Sequence, residues 1–224
     1  MDQKVSNEVQ IPFNKPKSMV ETVTDFLRES IIRGNLQPKE KINPADITKT
    51  LGVSNIPLRE ALRILENEGL IYSLPGKGSW VAGASRKDLE ETLMIREMIE
   101  TFAVELISRM EKKGADFKEK FKAIALTEQT QRKGPKFHDA LIEMANNEKL
   151  FNIYDMLSSN IRRYQNLSFS ILERKGFEIQ EHAKEHLLIV EELIRGDFEA
   201  AKLRIREHLD TLRNLLLEHV EFWD

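Results

Sequence analysis

Apolar residues recur at the spacing of one helix face along most of the chain. The first such face lies between residues 18 and 34 and consists of Val20, Val23, Phe26, Leu27 and Ile31. Gly34 is expected to end that helix. Asn43-Pro44 then predicts a second, short helix with Ile47 and Leu51 on its buried side, because asparagine is an N-cap residue and proline favours the first helical position.

The segment from Leu51 to Leu70 predicts the turn and second helix of a helix-turn-helix. Gly52 closes the short helix, and Ser54 is expected to cap the next one by accepting a backbone N–H. Pro57 falls in the first turn, where its missing donor costs little. The positions predicted to pack against the preceding helices are Leu58, Ala61, Leu62 and Leu65. The outward positions, which suit either a DNA-reading surface or an ordinary solvated face, are Asn55, Arg59 and Arg63.

Two short runs of strand-forming residues follow this helix, at 70–74 and 79–82. They flank Pro75-Gly76-Lys77-Gly78, and such a turn between two runs predicts a β-hairpin. Three helices and a hairpin compose a winged helix-turn-helix, with Lys77 at the tip of the wing.

The remainder of the chain is predicted to be helical throughout. Ser85 and Asp88 mark the start of a long helix that is too apolar to be buried along one side only. Further helices are expected at 115–131, 136–146, 148–172, 177–195 and 198–221. Since no strand-like alternation follows Ala82, the fold class is mainly α, an N-terminal winged helix-turn-helix followed by an all-α antiparallel helical bundle.

Composition excludes several kinds of site. The chain has no cysteine, so a disulfide framework, a thiol nucleophile and cysteine-ligated metal are excluded. No run approaches the roughly 18 apolar residues of a membrane helix, and we expect a soluble, cytoplasmic protein without membrane contact. The net charge is −3, made up of +1 through Ala82 and −4 after it. Any affinity for DNA must therefore come from a local basic surface.

The N-terminal motifs, taken in order, resemble the DNA-binding domain of the GntR family of bacterial transcription regulators. They are Gly34-x-Leu36-x-Pro38, Leu51-Gly52-Val53-Ser54, residues 57–62, Leu65-Glu66, Glu68-Gly69-Leu70 and Gly76-Lys77-Gly78. The resemblance implies a homodimer on a palindromic double-stranded DNA operator, with recognition helices in the major groove and wings at the minor groove. The residues expected to contact DNA are Ser54, Asn55, Ile56, Arg59, Arg63, Lys49, Lys77 and Gly78.

Two residues depart from that family pattern. Most relatives carry arginine at the position of Asn55, and many carry one at the position of Ala45, whereas Arg59 is retained. The loss of two basic contacts should weaken binding to phosphate or guanine. We hypothesise that Asn55 pairs instead with the edge of an adenine.

The C-terminal half is similar to the FCD effector domain of the FadR-like subfamily, over residues 86–218. The residues that carry this similarity are Arg96, Glu100, Phe137-His138, Asn147, Glu185-His186, Gly196-Asp197, Ala201 and His208-Leu209. We therefore expect a flexible arm at 1–17, a winged helix-turn-helix at 18–82, and a helical effector-binding and dimerisation domain at 86–224.

Three histidines, His138, His186 and His208, occupy positions where many FCD domains bind a metal. Relatives add an aspartate one turn before the first histidine, where this chain has Gly134. Two interpretations stay open, a divalent metal such as Zn or Ni, or pocket histidines that form ordinary hydrogen bonds. Asp139 is expected to point elsewhere, and His182 shares a helix face with His186 and is a further candidate.

Arg96 is a candidate clamp for an effector carboxylate, or it forms an ordinary pair with Glu100 at i+4. The expected effector-binding residues are Arg96, His138, His182, His186 and His208. Arg162 and Arg163 are expected on the bundle surface.

The sequence favours a ligand-responsive transcription regulator in which a small carboxylate changes the arrangement of two DNA-binding heads. The coupling need be only about 1–3 kcal/mol. One alternative is a helical interaction module that does not bind an operator. A metal-dependent hydrolase on the three histidines is a weaker alternative, since no general base is placed near them, and we expect no enzyme.

Overall fold

The computed structural model describes residues 17–112, 114, 116–130, 136–175 and 180–222. The predicted arm at 1–17, apart from Lys17, and the glycine at 134 lie outside these residues. The described chain forms nine helices and three strands. In chain order they are α1 (Met19–Ile32), β1 (Lys41–Ile42), α2 (Pro44–Leu51), α3 (Asn55–Asn67), β2 (Ile71–Leu74), β3 (Gly78–Val81), α4 (Arg86–Glu111), α5 (Lys118–Thr130), α6 (Lys136–Met144), α7 (Glu148–Lys175), α8 (Gln180–Arg195) and α9 (Phe198–His219).

The helix-turn-helix forms as predicted. The side chain of Asn43 accepts the backbone N–H of Ala45 at the start of α2. Gly52 ends α2 in the left-handed conformation, at φ 65°, where a side chain would strain the backbone. The predicted cap at Ser54 is wrong in one respect, because its hydroxyl accepts no backbone N–H. An N-cap side chain bonds the second or third N–H of its helix, and the third position of α3 is Pro57, which has none.

The wing contains one strand more than predicted. β2 and β3 pair antiparallel with Ile71 opposite Val81, as a hairpin requires. β1 adds to the other edge of β3, with Lys41 opposite Trp80, so the strand order is β1-β3-β2. A two-residue strand has too few positions to show alternation, which is why the sequence pattern did not indicate β1.

The head has its own apolar core, built where α1, α3 and the sheet meet. Val23 and Leu27 of α1 are buried against Leu58, Ala61 and Leu65 of α3. Of the other predicted core positions, Ile31 is also buried, Phe26 is exposed, and Val20, Ile47, Leu51 and Leu62 are partly buried.

The second half is an all-α bundle with a separate core, as predicted. Helix α4 packs against α6, α7 and α9, while α8 packs against α5 and α9. The helix starts agree with the sequence, since Ser85 accepts the N–H of Asp88 and Asp197 accepts the N–H of Ala200. Among the described residues, no helix has the length and apolar character needed to cross a membrane.

One face of α4 is exposed in the part of the chain that the structure describes. Four large apolar side chains lie on it at helical spacing, and their exposed fractions range from about a third to more than two thirds. We call this face the α4 stripe: Met94, Ile95, Met98 and Phe102. The sequence indicated that α4 is apolar on more than one side, and the structure covers only the side opposite the stripe.

Helix α7 joins the bundle to the head. The amide nitrogen of Asn160 donates to the carbonyl of Glu68 at 3.1 Å, and Arg163 donates to the carbonyl of Ala82 at 2.8 Å. Arg162 donates to Glu29 of α1 at 3.3 Å. The expectation that Arg162 and Arg163 lie on the bundle surface is therefore wrong for Arg163, whereas the side chain of Arg162 is 39% exposed. Arg163 is buried, and this burial lowers the pKa of its guanidinium.

An ion pair lies inside the bundle core. Arg96 and Glu100 of α4 are both 0% exposed, and Nε of Arg96 donates to Oε1 of Glu100 at 2.6 Å. The i+4 pair expected from the sequence thus forms, but in the interior rather than on a solvated helix face. The few tenths of a kcal/mol typical of exposed pairs therefore do not apply to it.

Replacing Glu100 by Gln is expected to lower the free energy of unfolding by about 3–5 kcal/mol, because the buried charge of Arg96 then has no counter-charge. Urea unfolding of the full chain, followed by helical circular dichroism, measures this. The matched control is Glu97→Gln, which removes an exposed ion pair between α4 and Arg206 of α9. Its cost is expected to stay below about 1 kcal/mol. Equal losses in the two variants would contradict the argument.

Candidate effector site and DNA-binding surface

The structure brings three histidines from three different helices together in the bundle core. His138 comes from α6, His186 from α8 and His208 from α9, and each is at most 2% exposed. One ligand atom of each lies within 4.8 Å of the other two. Residues separated by as many as 70 positions in the sequence thus form one polar cluster in an apolar core.

Two glutamates lie within hydrogen-bond distance of the Nδ1 atoms of two of these imidazoles. Nδ1 of His138 lies 2.9 Å from Oε2 of Glu100, and Nδ1 of His208 lies 2.7 Å from Oε2 of Glu185. Burial raises the pKa of Glu185 to about 7. Burial also raises the pKa of Glu100, while the charge of Arg96 acts in the opposite direction. Bonds at Nδ1 leave the Nε2 atoms of His138 and His208 for contacts elsewhere.

The geometry of this cluster fits a divalent metal. Nε2 of His138 and Nε2 of His186 lie 3.1 Å apart, so either one nitrogen carries a proton for the other or a cation binds both. Nitrogens that are each about 2.1 Å from one ion lie about 3.4 Å apart in a tetrahedron and about 3.0 Å apart as neighbours in an octahedron. Carboxylates behind ligating histidines are also the usual support of metal-bound imidazole.

Arg96 lies at the same place in the core, and part of its guanidinium has no partner. Its Nε bonds Glu100, whereas Nη1 and Nη2 have no hydrogen-bond partner among the described residues. Because Glu100 also contacts His138, one carboxylate connects the guanidinium to the histidine cluster. An unsatisfied buried donor is costly, and most buried polar groups have partners. Nη1 and Nη2 of Arg96 are therefore available to bind an acceptor that is not among the described residues.

A cleft of about 260 Å³ opens between α7 and α6, the helix that carries His138. Its lining includes Asp139, Tyr154 and Arg162. The hydroxyl of Tyr154 donates to Asp139 at 3.3 Å, and burial raises the pKa of this tyrosine, with the charge of Arg96 acting against it. Tyr154 thus lies between the cleft and the buried charges of α4.

The structure agrees with some of the finer expectations for this region. Asp139 is not part of the histidine cluster, as its position next to His138 indicated. His182 belongs to α8, but its side chain lies outside the described part of the chain. The sequence did not reveal that Glu100 contacts His138, since 38 residues separate them, nor that Glu185 contacts His208. A glutamate adjacent to a candidate ligand histidine, as in Glu185-His186, was the available signal.

The residues expected to contact DNA are exposed on the head. In α3, Asn55, Arg59 and Arg63 follow one another at i+4, on the side opposite the buried Leu58, Ala61 and Leu65. Ile56 is 76% exposed beside them. The other expected positions, all exposed, are Lys49, Ser54, Lys77 and Gly78.

The wing has a feature that the sequence did not indicate. Tyr72 and Trp80 stack across β2 and β3 with ring centroids 5.8 Å apart, and the ammonium group of Lys41 lies 5.3 Å from the centroid of Trp80. At Gly78, with φ 112°, an added Cβ would lie 3.3 Å from the side chain of Lys41. This packing supports the base of the wing and its tip at Lys77.

Comparison with known proteins agrees with this arrangement of a head and a helical bundle. The family of bacterial regulatory proteins called gntR matches residues 19–81, and the FCD domain matches residues 91–211, which is more than half of the chain. The HTH-type transcriptional regulator YdhC of Bacillus subtilis is 31% identical over 82% of this chain and 84% of its own length.

Two solved structures show the same fold. A GntR transcriptional regulator from Rhodococcus sp. RHA1 superposes with a TM-score of 0.70 at 19% identity, over 92% of this chain and all of that one. The Escherichia coli protein McbR/YncC superposes with a TM-score of 0.69 at 21% identity, over 90% of this chain and 98% of that one. The family consists of transcription regulators, which excludes the metal hydrolase considered from the sequence. The chain belongs to the GntR family, and it is a DNA-binding transcription regulator with a C-terminal FCD effector domain.

Proposed function

We propose that this regulator binds a palindromic operator as a homodimer and that a small carboxylate in the bundle modulates this binding. The observation that carries the proposal is the buried Arg96 guanidinium, whose Nη1 and Nη2 have no hydrogen-bond partner among the described residues. We place its two domains at 18–82 and 86–224, and the two separate apolar cores support this division. Because the proposed partner is DNA, we place the protein in the cytoplasm.

A carboxylate is the ligand that best satisfies Arg96. A guanidinium presents parallel N–H groups that match the two oxygens of a carboxylate, and such charge-assisted pairs are the strongest hydrogen bonds in proteins. The anion would also balance a positive charge in a core where Glu100 is shared between Arg96 and His138. The cleft lined by Tyr154 is the entry that we propose for this anion.

A metal on the three histidines would give the carboxylate a second anchor. His138, His186 and His208 would hold the ion, Zn or Ni, and leave coordination positions for other ligands. When bound, the ion supplies a positive charge that attracts a carboxylate oxygen. Glu100 and Glu185 orient the imidazoles in either case.

The α4 stripe supports the homodimer. An apolar surface that no described residue covers is formed by Met94, Ile95, Met98 and Phe102. A twofold axis beside α4 would pack one stripe on the same stripe of a second chain, which is how an isologous interface is built. Such pairing would also fix the distance between the two heads.

Helix α7 supports coupling between the carboxylate site and DNA binding. Arg162 lines the cleft and also bonds Glu29 of the head. Asn160 and Arg163 on the same helix bond the head and the segment after the wing. A ligand that shifts α7 by a small amount would therefore move the head, and a coupling of about 1–3 kcal/mol is enough for regulation.

Substituting Arg96 is expected to abolish binding of carboxylates. In a panel of small mono- and dicarboxylates, at least one is expected to raise the melting temperature of the wild type with increasing concentration. Arg96→Met should lose this response, and Arg96→Lys should retain it about tenfold more weakly, because lysine cannot form the paired bonds. Arg206→Met, which alters an exposed arginine of α9, should respond like the wild type. A full response in Arg96→Met would exclude the proposed clamp.

Native mass spectrometry of untagged protein, purified without chelator, tests metal and dimer together. We expect a dimer that carries one metal per protomer after addition of Zn²⁺ or Ni²⁺ in slight excess. His208→Ala should lose the metal and remain dimeric, since its side chain is buried in the bundle core whereas the α4 stripe is exposed. His219→Ala is the control that keeps the metal, because His219 is not in the cluster. A metal-free wild type would make the histidines hydrogen-bonding residues, and a monomer would contradict the role of the α4 stripe.

DNA binding is tested at Arg59. On the DNA upstream of its own gene, the wild type should bind selectively with an affinity that falls as salt rises. Arg59→Ala is expected to lose about 1–3 kcal/mol of binding free energy, measured by fluorescence anisotropy at several salt concentrations. Arg204→Ala on α9 is the matched control and should change nothing, since it lies on the bundle. Salt-independent or unselective binding by the wild type would favour the alternative of an interaction module.

A further inference from the structure

The first two residues of α3 form an unusual pair for a surface helix. Asn55 and Ile56 open the helix, and Ile56 is 76% exposed although its side chain is fully apolar. Leu58, two positions on, is 1% exposed, so the core of the head begins immediately after this pair. Ile56 therefore has no packing role within the described chain.

The backbone conformation is defined both before and after Asn55 and Ile56. Gly52 ends α2 in the left-handed conformation just before it, and Pro57 fixes the backbone of the first turn just after it. Leu58 and Ala61 then anchor the helix in the head core. The side chains of Asn55 and Ile56 are thus presented at a defined place rather than on a mobile loop.

The chemistry of the two side chains matches a single kind of base pair. The amide of asparagine forms two hydrogen bonds with N6 and N7 of adenine in the major groove. An apolar side chain contacts the 5-methyl group that only thymine carries. Neither residue offers the paired cationic donors that recognise guanine. An A·T base pair is therefore the one that both side chains can recognise.

We propose that Asn55 and Ile56 select A·T pairs in each operator half-site, Asn55 through an adenine edge and Ile56 through a thymine methyl group. The inference rests on the proposed function, because it requires that the head binds an operator. It assigns sequence selection to the start of α3, while Arg59 and Arg63, further along the same face, contribute positive charge for the phosphates.

The experiment removes single groups from the DNA and from the protein. The full-length wild type first enriches its preferred sites from a random duplex library at fixed salt. In the selected site, each thymine is then replaced by uracil, which lacks only the methyl group, and each adenine by 7-deazaadenine, which lacks only the N7 acceptor. Affinities are measured for the wild type, Ile56→Ala, Asn55→Ala and Ile64→Ala. Ile64 is the matched control because it is a partly exposed isoleucine further along α3.

We expect one thymine per half-site at which uracil weakens wild-type binding about fourfold, the effect of one buried methyl group. Ile56→Ala should bind the thymine and uracil sites equally, whereas Ile64→Ala should keep the fourfold difference. One adenine per half-site should show a loss of about tenfold with 7-deazaadenine, and Asn55→Ala should not show it. Circular dichroism of each variant confirms the fold, which exposed positions should not disturb.

The outcomes separate this inference from the proposed function. If the wild type enriches no sequence, operator binding itself is excluded. If it enriches guanine where α3 begins, or if uracil weakens Ile56→Ala as much as the wild type, the protein binds an operator but the inference is wrong. A methyl effect that disappears in Ile56→Ala, together with an N7 effect that disappears in Asn55→Ala, supports it.

Discussion

Burial of the Arg96 guanidinium is the constraint on which the interior of the bundle depends. A charge removed from water must be compensated by its neighbours, and Glu100 is placed one helical turn away to do so. The second oxygen of Glu100 then fixes His138 through Nδ1. One buried carboxylate thus sets the position of a guanidinium and of an imidazole that lies on another helix.

This arrangement is a poor way to stabilise a bundle. The desolvation of a buried ion pair commonly exceeds the attraction between its charges, and apolar residues of similar size are often more stabilising. In addition, no described residue accepts a hydrogen bond from Nη1 or Nη2 of Arg96. We therefore proposed a ligand rather than a folding role for this group, since a bidentate anion would complete the bonds that Glu100 leaves open.

The sequence predicted the helices and the hairpin better than the contacts that they make. Periodicity located α1, α3, the hairpin and the six helices of the bundle, because each apolar face repeats over several turns. Periodicity could not indicate which element, if any, packs against an apolar face. Arg163 was therefore placed on the surface although α7 packs it against Ala82, and α4 was expected to be buried on more than one side although no described residue covers the α4 stripe. β1 was missed because two residues carry no pattern.

In the candidate site, too, the sequence identified the residues but not the contacts between them. Resemblance to a family singled out His138, His186, His208 and Arg96, and the structure brings the histidines within 4.8 Å of one another with Arg96 linked to them through Glu100. The link itself was not predictable, since a hydrogen bond across 38 residues depends on how α6 packs on α4. The roles of these residues remain predictions, because a geometry suitable for a ligand does not identify one.

Three features have no partner among the described residues: Nη1 and Nη2 of Arg96, the exposed Ile56 and the α4 stripe. Each would be satisfied by a different partner, namely a carboxylate, a base pair and a second chain. If α7 transmits a shift from the cleft to the head, the three equilibria are linked. Linkage is reciprocal, so an effector that weakens operator binding by a given factor must itself bind more weakly, by the same factor, when operator is present. The coupling free energy is therefore the same whether it is measured as the effect of the effector on operator binding or as the effect of the operator on effector binding.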